Sequence, residues 1–201
     1  MSTILVLYYS RSGHCEKMAH LVCRGIESIA DMNAQLRTVP PLKTYNDPTH
    51  EPIPTSGAPY ATLEDLAHAD GLCLGCPTHF GNMPAPMKAF WDNTTSLWKS
   101  GALIDKVAGV FTSTGSLHGG QETTLITMML PLLHHGMIMV GLPYSEHTLL
   151  STRSGGTPYG ATHVAGSQGD LDLTEDEKTL CIALGTRIAL KTQQLQSSKL
   201  D

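Results

Sequence analysis

The chain has 201 residues, the length of one domain and enough to bury a continuous core. Lys and Arg number 13 against 18 Asp and Glu, a net charge of −5, so there is no basic footprint for nucleic acid and no such partner is expected. Only 15% of residues are charged, against roughly 25% in ordinary soluble domains, which suggests cover by other copies of the chain, the alternative being a monomer with a Ser/Thr/Gly-rich surface. The opening apolar run, residues 4–7, lacks a basic lead-in and is too short for a signal peptide or a membrane span. Five scattered cysteines fit a reducing compartment. The expectation is a cytoplasmic protein without membrane insertion.

Residues 4–9 read as a strand, and 16–29 as a helix with Met18, Leu21, Val22, Ile26 and Ile29 on one face. A second strand spans 34–39. Six prolines between residues 40 and 59 then exclude a helix or a central strand, and so long a connection is often functional or at an interface. Thr62 with Asp65 three residues on resembles a capping box, opening a short helix to about His68. Residues 71–75 read as a buried strand, 86–96 as a helix begun by proline, and 107–111 as the fourth strand. Residues 122–135 form an unusually apolar helix in which Pro131 predicts a kink or an early end. A fifth strand at 137–140 leads to a second long loop over 141–172. Thr174 opens the last helix, with Glu175, Asp176 and Glu177 near its positive end. Strands alternating with helices predict an α/β fold, a doubly wound parallel sheet of five strands in a single domain over 1–201. Cys73 and Cys76 have redox-motif spacing, but residues three apart around a strand point to opposite faces, so no working disulfide is expected.

Three polar loops follow apolar strands directly, where ligands settle in open parallel sheets. The first holds Ser10, Arg11, Ser12, Gly13, His14 and Cys15, with hydroxyls and a helix N-terminus able to receive an anion. It lacks both the dinucleotide glycine fingerprint and the Lys-Ser/Thr of a triphosphate loop, which favours a terminal monophosphate over a pyrophosphate. An ordinary serine-capped turn explains it equally well when taken alone. The second carries Thr78, His79 and Phe80 before Gly81 and Asn82, and the third Ser113, Thr114, Gly115, Ser116, Leu117 and His118. Together they can cradle a phosphate and a flat ring without any acidic residue, the outline of a flavin site. His134 and His135 end an apolar helix, where both also fit simple C-terminal caps. His118, His134, His135 and His163 have no thiolate or carboxylate at a structural zinc spacing, so no metal is expected.

The runs Leu7 to Ser10, Pro77 to Met83, Phe111 to Gly115, Gly119 to Glu122, His134 to Met137 and Gly155 to Ala161 closely resemble the flavodoxin-like NAD(P)H:quinone oxidoreductases of the tryptophan-repressor-binding-protein type. The resemblance extends from about Ile4 to Ala189. It implies strand order 2-1-3-4-5, non-covalent FMN, NADH or NADPH as electron donor, and a homotetramer. It also implies two-electron reduction of quinones to quinols in a ping-pong cycle, nicotinamide nucleotide and quinone alternating in one pocket. By resemblance, residues 10–15 are the phosphate loop, Thr78, His79 and Phe80 contact the flavin ring, and 113–118 serve its ring and ribityl side. His134 matches the histidine that meets the flavin, a candidate for stabilising charge on flavin or quinone, and Trp98 matches the aromatic of the substrate pocket. No side chain need act as nucleophile. Three positions depart from the family pattern: Ser12 stands where an aromatic is frequent, His79 where arginine is frequent, and Leu117 with His118 interrupts a glycine run. The competing reading is a one-electron carrier, or a flavin-binding interaction protein without turnover. Carriers of that kind are strongly acidic, whereas −5 over 201 residues is mild.

Overall fold

The computed structural model describes residues 1–42, 54 and 56–197. Most of the proline-rich connection expected over 40–59 lies outside the described residues. β1 (Ser2–Tyr8), β2 (Met32–Thr38), β3 (Gly71–Pro77), β4 (Val107–Thr114) and β5 (Ile138–Met139) lie in the order β2-β1-β3-β4-β5, and every pair is parallel. The expected strand order is therefore present.

Period-2 alternation sorts the strands into two layers. Ile4, Val6 and Tyr8 of β1 face one buried cluster with Cys73, formed against α1 (His14–Glu27) and α7 (Glu175–Ser197). Leu5 and Leu7 face the other, with Leu72, Leu74 and Cys76, against α2 (Leu63–His68), α3 (Ala85–Asp92) and α5 (Gln121–His134). The strands read as continuous apolar runs because both faces are covered. Cys73 and Cys76 thus occupy opposite layers, and all five cysteines are free and buried. Gly25 and Gly185 let α1 and α7 touch backbone to backbone: a Cβ on either would lie 2.1 Å from a carbonyl oxygen of the other helix.

The Thr62 box forms as expected, Thr62 Oγ1 accepting from the Asp65 N–H at 3.0 Å and Asp65 accepting from the Thr62 N–H at 2.9 Å. A second reciprocal pair opens α7, between Thr174 Oγ1 and the Glu177 N–H (3.2 Å) and between Glu177 Oε2 and the Thr174 N–H (2.9 Å).

Three expectations are corrected. The single helix over 86–96 is two, α3 and α4 (Thr95–Ser100), because the Thr94 hydroxyl donates to the Trp91 carbonyl at 2.7 Å and closes the first helix off. Of the kink or early end expected at Pro131, the early end is the part corrected: α5 runs on through it to His134, held by the buried Leu125, Met128 and Leu132. The loop over 141–172 contains α6 (Thr148–Ser151) and β6 (Ala161–Val164). β6 pairs with the upper half of β4, Phe111–Thr114, while β5 pairs only with Val107 and Ala108, so two short strands share the fifth lane and the sheet has six. Gly160 permits this: a Cβ there would lie 2.0 Å from the Val110 carbonyl oxygen.

Candidate functional site

The parallel register brings the carboxyl ends of β1, β3 and β4 together, and backbone bonds join the loops that leave them. The Tyr9 N–H donates to Gly75 O at 2.9 Å, and the Thr78 N–H to Ser113 O at 2.9 Å. The Thr112 hydroxyl donates to Cys76 O at 2.7 Å. The buried Cys15 thiol meets the N–H of Ser113; burial pushes that thiol up to about 12 despite the donor. It is a neutral packing group that ties the first loop to the third.

In the first loop, Ser10 Oγ accepts from the Gly13 N–H at 3.0 Å, and Gly13 takes φ +87°, the left-handed region that glycine occupies freely. A Cβ on Gly13 would meet nothing within 4 Å, so the loop opens onto free space. α1 begins without a side-chain cap, leaving its first-turn N–H groups for an anion. Arg11 and Ser12 are exposed there. The side chain of His14 is turned inward instead, its ring nitrogens lying 3.0 Å from Gly169 O and 3.2 Å from His163. His14 and Cys15 therefore offer the loop only their backbone.

In the second loop, His79 and Asn82 exchange backbone bonds of 2.8 and 3.1 Å around a two-residue turn. Phe80 (φ 54°) and Gly81 (φ 76°) form its tip, and Phe80 is fully exposed. A bulky residue in the left-handed region is uncommon, and here the turn throws an aromatic ring clear of the protein. Thr78 Oγ1 accepts from the Gly81 N–H (3.2 Å) and the Thr124 hydroxyl (2.8 Å), anchoring the turn to α5.

In the third loop, Ser113 and Thr114 are buried at the end of β4, whereas Gly115, Ser116, Leu117 and His118 are exposed. Thr114 Oγ1 donates to Ser116 O at 2.9 Å, and Gln121 Nε2 to Leu117 O at 2.7 Å. Gly120 packs so tightly on the second loop that a Cβ would lie 3.0 Å from the Gly81 Cα. A cavity of about 440 Å³ beside this loop is lined by Leu117, His118, Gln121, Thr123, Ser154 and Thr157. The three loops carry hydroxyls, N–H groups and one arginine but no carboxylate. That donor set fits a ligand with an anionic phosphate and a flat ring rich in acceptors.

Trp98 and His134 lie elsewhere. Both are exposed, and they line a cavity of about 390 Å³ with Trp91, Thr94, Thr95 and His135. The His134 end of α5 meets the amino-terminal ends of β4 and β5, through Asp105 N to Gly136 O (3.0 Å) and Ile138 N to Lys106 O (2.9 Å). At 1.5 Å per residue, α5 separates His134 from Gln121 by about 20 Å. One chain therefore brings residues 10–15, 78–80 and 113–118 together, and leaves Trp98 and His134 at the far end of the sheet. His135 caps α5, its Nε2 2.9 Å from Thr94 Oγ1, and burial followed by the neighbouring His134 pulls its imidazole below the usual range. Among the described residues, no group of three or more His, Cys, Asp or Glu is arranged to hold a metal ion.

Sequence reasoning gave no site role to Gln121, Thr162 or His163, and gave Glu177 only a place near the positive end of the last helix. Gln121 Oε1 takes the Thr162 hydroxyl, linking the start of α5 to β6. The buried His163 bonds Glu177 at 2.8 Å. The available signal was the glycine-rich run Gly155 to Gly160 immediately before β6.

Residues 3–146 match the family model described as NADPH-dependent FMN reductase. The chain is 43% identical over 204 residues to a protein of Trichlorobacter lovleyi named NAD(P)H dehydrogenase (quinone), covering 97% of this chain and 99% of that one. It is 46% identical over 198 residues to a protein of Chromohalobacter salexigens with the same name, covering 94% and 96%. Among solved structures it resembles a flavodoxin, WrbA-like protein from Agrobacterium tumefaciens, with TM-score 0.68, 25% identity and coverage of 96% and 99%. With matches of this extent joined to three converging loops, the chain belongs to the NADPH-dependent FMN reductase family.

Proposed function

We infer that the chain is an FMN-dependent NAD(P)H:quinone oxidoreductase. The observation that carries the reading is the carboxylate-free cradle formed by residues 10–13, 78–82 and 113–118 at the carboxyl ends of β1, β3 and β4, in a chain that nearly full-length relatives named NAD(P)H dehydrogenase (quinone) match at 43–46% identity. Bound FMN supplies the two-electron chemistry between nicotinamide and quinone. The protein's residues bind and orient it. Ser10, Ser12 and the uncapped start of α1 receive the phosphate, with Arg11 beside them. The turn anchored by Thr78 and the backbone N–H groups of residues 78–82 would hold the flavin ring. Ser113, Thr114 and Ser116 would serve the ribityl side, and the exposed Phe80 would supply an aromatic beside the ring. Nicotinamide and quinone take turns over one face, in a ping-pong cycle.

The site is completed in a homotetramer. His134 lies about 20 Å from the cradle of its own chain along α5, and Trp98 lines the same cavity as His134, so both serve the cradle of a neighbouring copy. The exposed apolar side chains Trp98, Ile104, Leu130, Leu133 and Ile138 support burial of this end between subunits. His134 there stabilises negative charge on ring or quinone, and Trp98 stacks on the substrate. The five free cysteines support a cytoplasmic setting, and no helix among the described residues is long and apolar enough to cross a membrane.

Stopped-flow mixing of the purified protein with NADH and then benzoquinone tests the reading. Bleaching of the flavin followed by full reoxidation within turnover time is expected, with parallel initial-rate plots. Failure of any quinone to reoxidise the flavin at that rate points instead to a carrier. Sedimentation equilibrium showing an active, flavin-bound species of only 21.6 kDa overturns the tetramer.

A further inference from the structure

Behind the first loop, a hydrogen-bond chain crosses the protein interior. Glu177 in the first turn of α7 is 1% exposed, His163 on β6 is 0% exposed, and His14 at the start of α1 is 7% exposed. Glu177 Oε1 accepts from the N–H groups of Gly155 (2.9 Å) and Val164 (3.0 Å). Its Oε2 accepts from the Thr174 N–H (2.9 Å) and lies 2.8 Å from His163 Nδ1. His163 Nε2 lies 3.2 Å from His14 Nδ1, and His14 Nε2 lies 3.0 Å from the carbonyl oxygen of Gly169.

The partners determine the proton count. A carbonyl oxygen only accepts, so His14 Nε2 carries a hydrogen. Glu177 already receives three backbone N–H groups, the surroundings of an ionised carboxylate, so His163 Nδ1 carries one as well. Two neutral imidazoles hold only two N–H protons, and both are now spent. Two bare lone pairs would then face each other at 3.2 Å inside the protein. A hydrogen bond there needs a third proton. The two rings therefore share one positive charge, balanced by the buried carboxylate of Glu177. Burial alone would push that carboxyl up, but the His163 bond and the Thr174 and Val164 N–H groups outweigh it and hold it down to about 2.

We propose that His163 and Glu177 are positioning residues for the cofactor's phosphate: through His14 they keep one proton between two buried imidazoles beneath the first turn of α1, where the phosphate loop ends. This rests on the reading of residues 10–15 as that loop and deepens it. His14 is the first residue of α1, so the cationic end of the chain lies at the loop and its anionic end lies farther back, on α7. A positive charge at this place adds to the helix N-terminus in attracting a phosphate dianion. Other charged or titratable groups around the pair are Lys17 on α1, Asp172 before α7, and Lys178 and Cys181 on α7. Lys17 and Asp172 form their own exposed ion pair at 2.7 Å, and Asp172 also feels the His14 imidazole, so Glu177 is the buried carboxylate among the groups that balance the shared charge.

The test compares two probes that differ only in the phosphate, FMN and riboflavin, titrated into apoprotein by quenching of flavin fluorescence. His163→Gln keeps a hydrogen-bonding side chain but cannot hold the charge. It is expected to lose about tenfold in FMN affinity, with riboflavin affinity unchanged. Equal losses for both probes, or none for FMN, overturn the proposal. Wild-type protein that binds riboflavin as tightly as FMN overturns the phosphate-loop reading itself. A second measurement needs no flavin and no variant: nitrogen-15 NMR of the histidine rings in wild-type apoprotein. Three protonated nitrogens across His14 and His163 are expected, and two overturn the proposal even if His163→Gln does not fold.

Discussion

Glu177→Gln should destabilise the protein by roughly 3–5 kcal/mol at neutral pH. The wild-type carboxyl falls from its usual 4.5 to about 2 in the folded state. Each tenfold change in proton affinity is worth about 1.4 kcal/mol, so the ionised carboxylate contributes roughly 3 kcal/mol of stability at pH 7. The sign follows from the direction: a carboxyl held low when folded contributes fully above its unfolded value and loses that contribution as pH falls through the folded one. The contribution is complete above about pH 4.5, roughly 1 kcal/mol at pH 3, and nearly gone at pH 2. Glutamine cannot take over the arrangement. Either orientation of its amide sets an NH₂ against two donors, the Gly155 and Val164 N–H groups or the Thr174 N–H with His163 Nδ1–H. Each buried donor left unmet costs about 1–3 kcal/mol. Urea denaturation of apoprotein followed by circular dichroism, at pH 7 and pH 3, measures both parts. The gap between wild type and variant is expected to be wide at pH 7 and to narrow by roughly 2 kcal/mol at pH 3. Equal midpoints at pH 7, or a gap that does not change with pH, refute the reasoning.

Thr78→Glu adds bulk and a negative charge where the loop should approach the ring, and it removes the hydroxyl that accepts from the Gly81 N–H and the Thr124 hydroxyl. Flavin titration should show at least a hundredfold weaker FMN binding, on the order of 3 kcal/mol. An unchanged titration with the fold intact places Thr78 away from the ring. Gly75→Ala drives a Cβ to 2.0 Å from the ring of the fully buried Phe111. Overpacking of this kind costs about 1–3 kcal/mol or more, so the thermal midpoint should drop by several degrees. An unaltered midpoint would mean that Phe111 has room to move.

Much of the fold was legible in the sequence because its signals are local. The period-2 and 3.6-residue patterns located the five lanes of the sheet and the helices between them, and the Thr62 box marked the start of α2 to the residue. The polar loops could be seen because each interrupts an apolar run directly after a strand. Alternation also placed Cys73 and Cys76 in opposite layers before any contact was known. Tertiary structure alone decided what depends on partners distant in the chain. β6 carries two fully buried polar residues, Thr162 and His163, so its text reads as a loop; only Gln121 and Glu177 reveal why such side chains can be inside. His14 looked like a phosphate-loop side chain until its ring was found bonded to a histidine 149 positions away. The length and direction of α5 put His134 and Trp98 at the opposite end of the sheet from the loops they resemble partners of. Hydrophobic periodicity is written residue by residue, whereas a buried polar group is stable only with the partner that satisfies it, and the folded chain alone determines which residue that is.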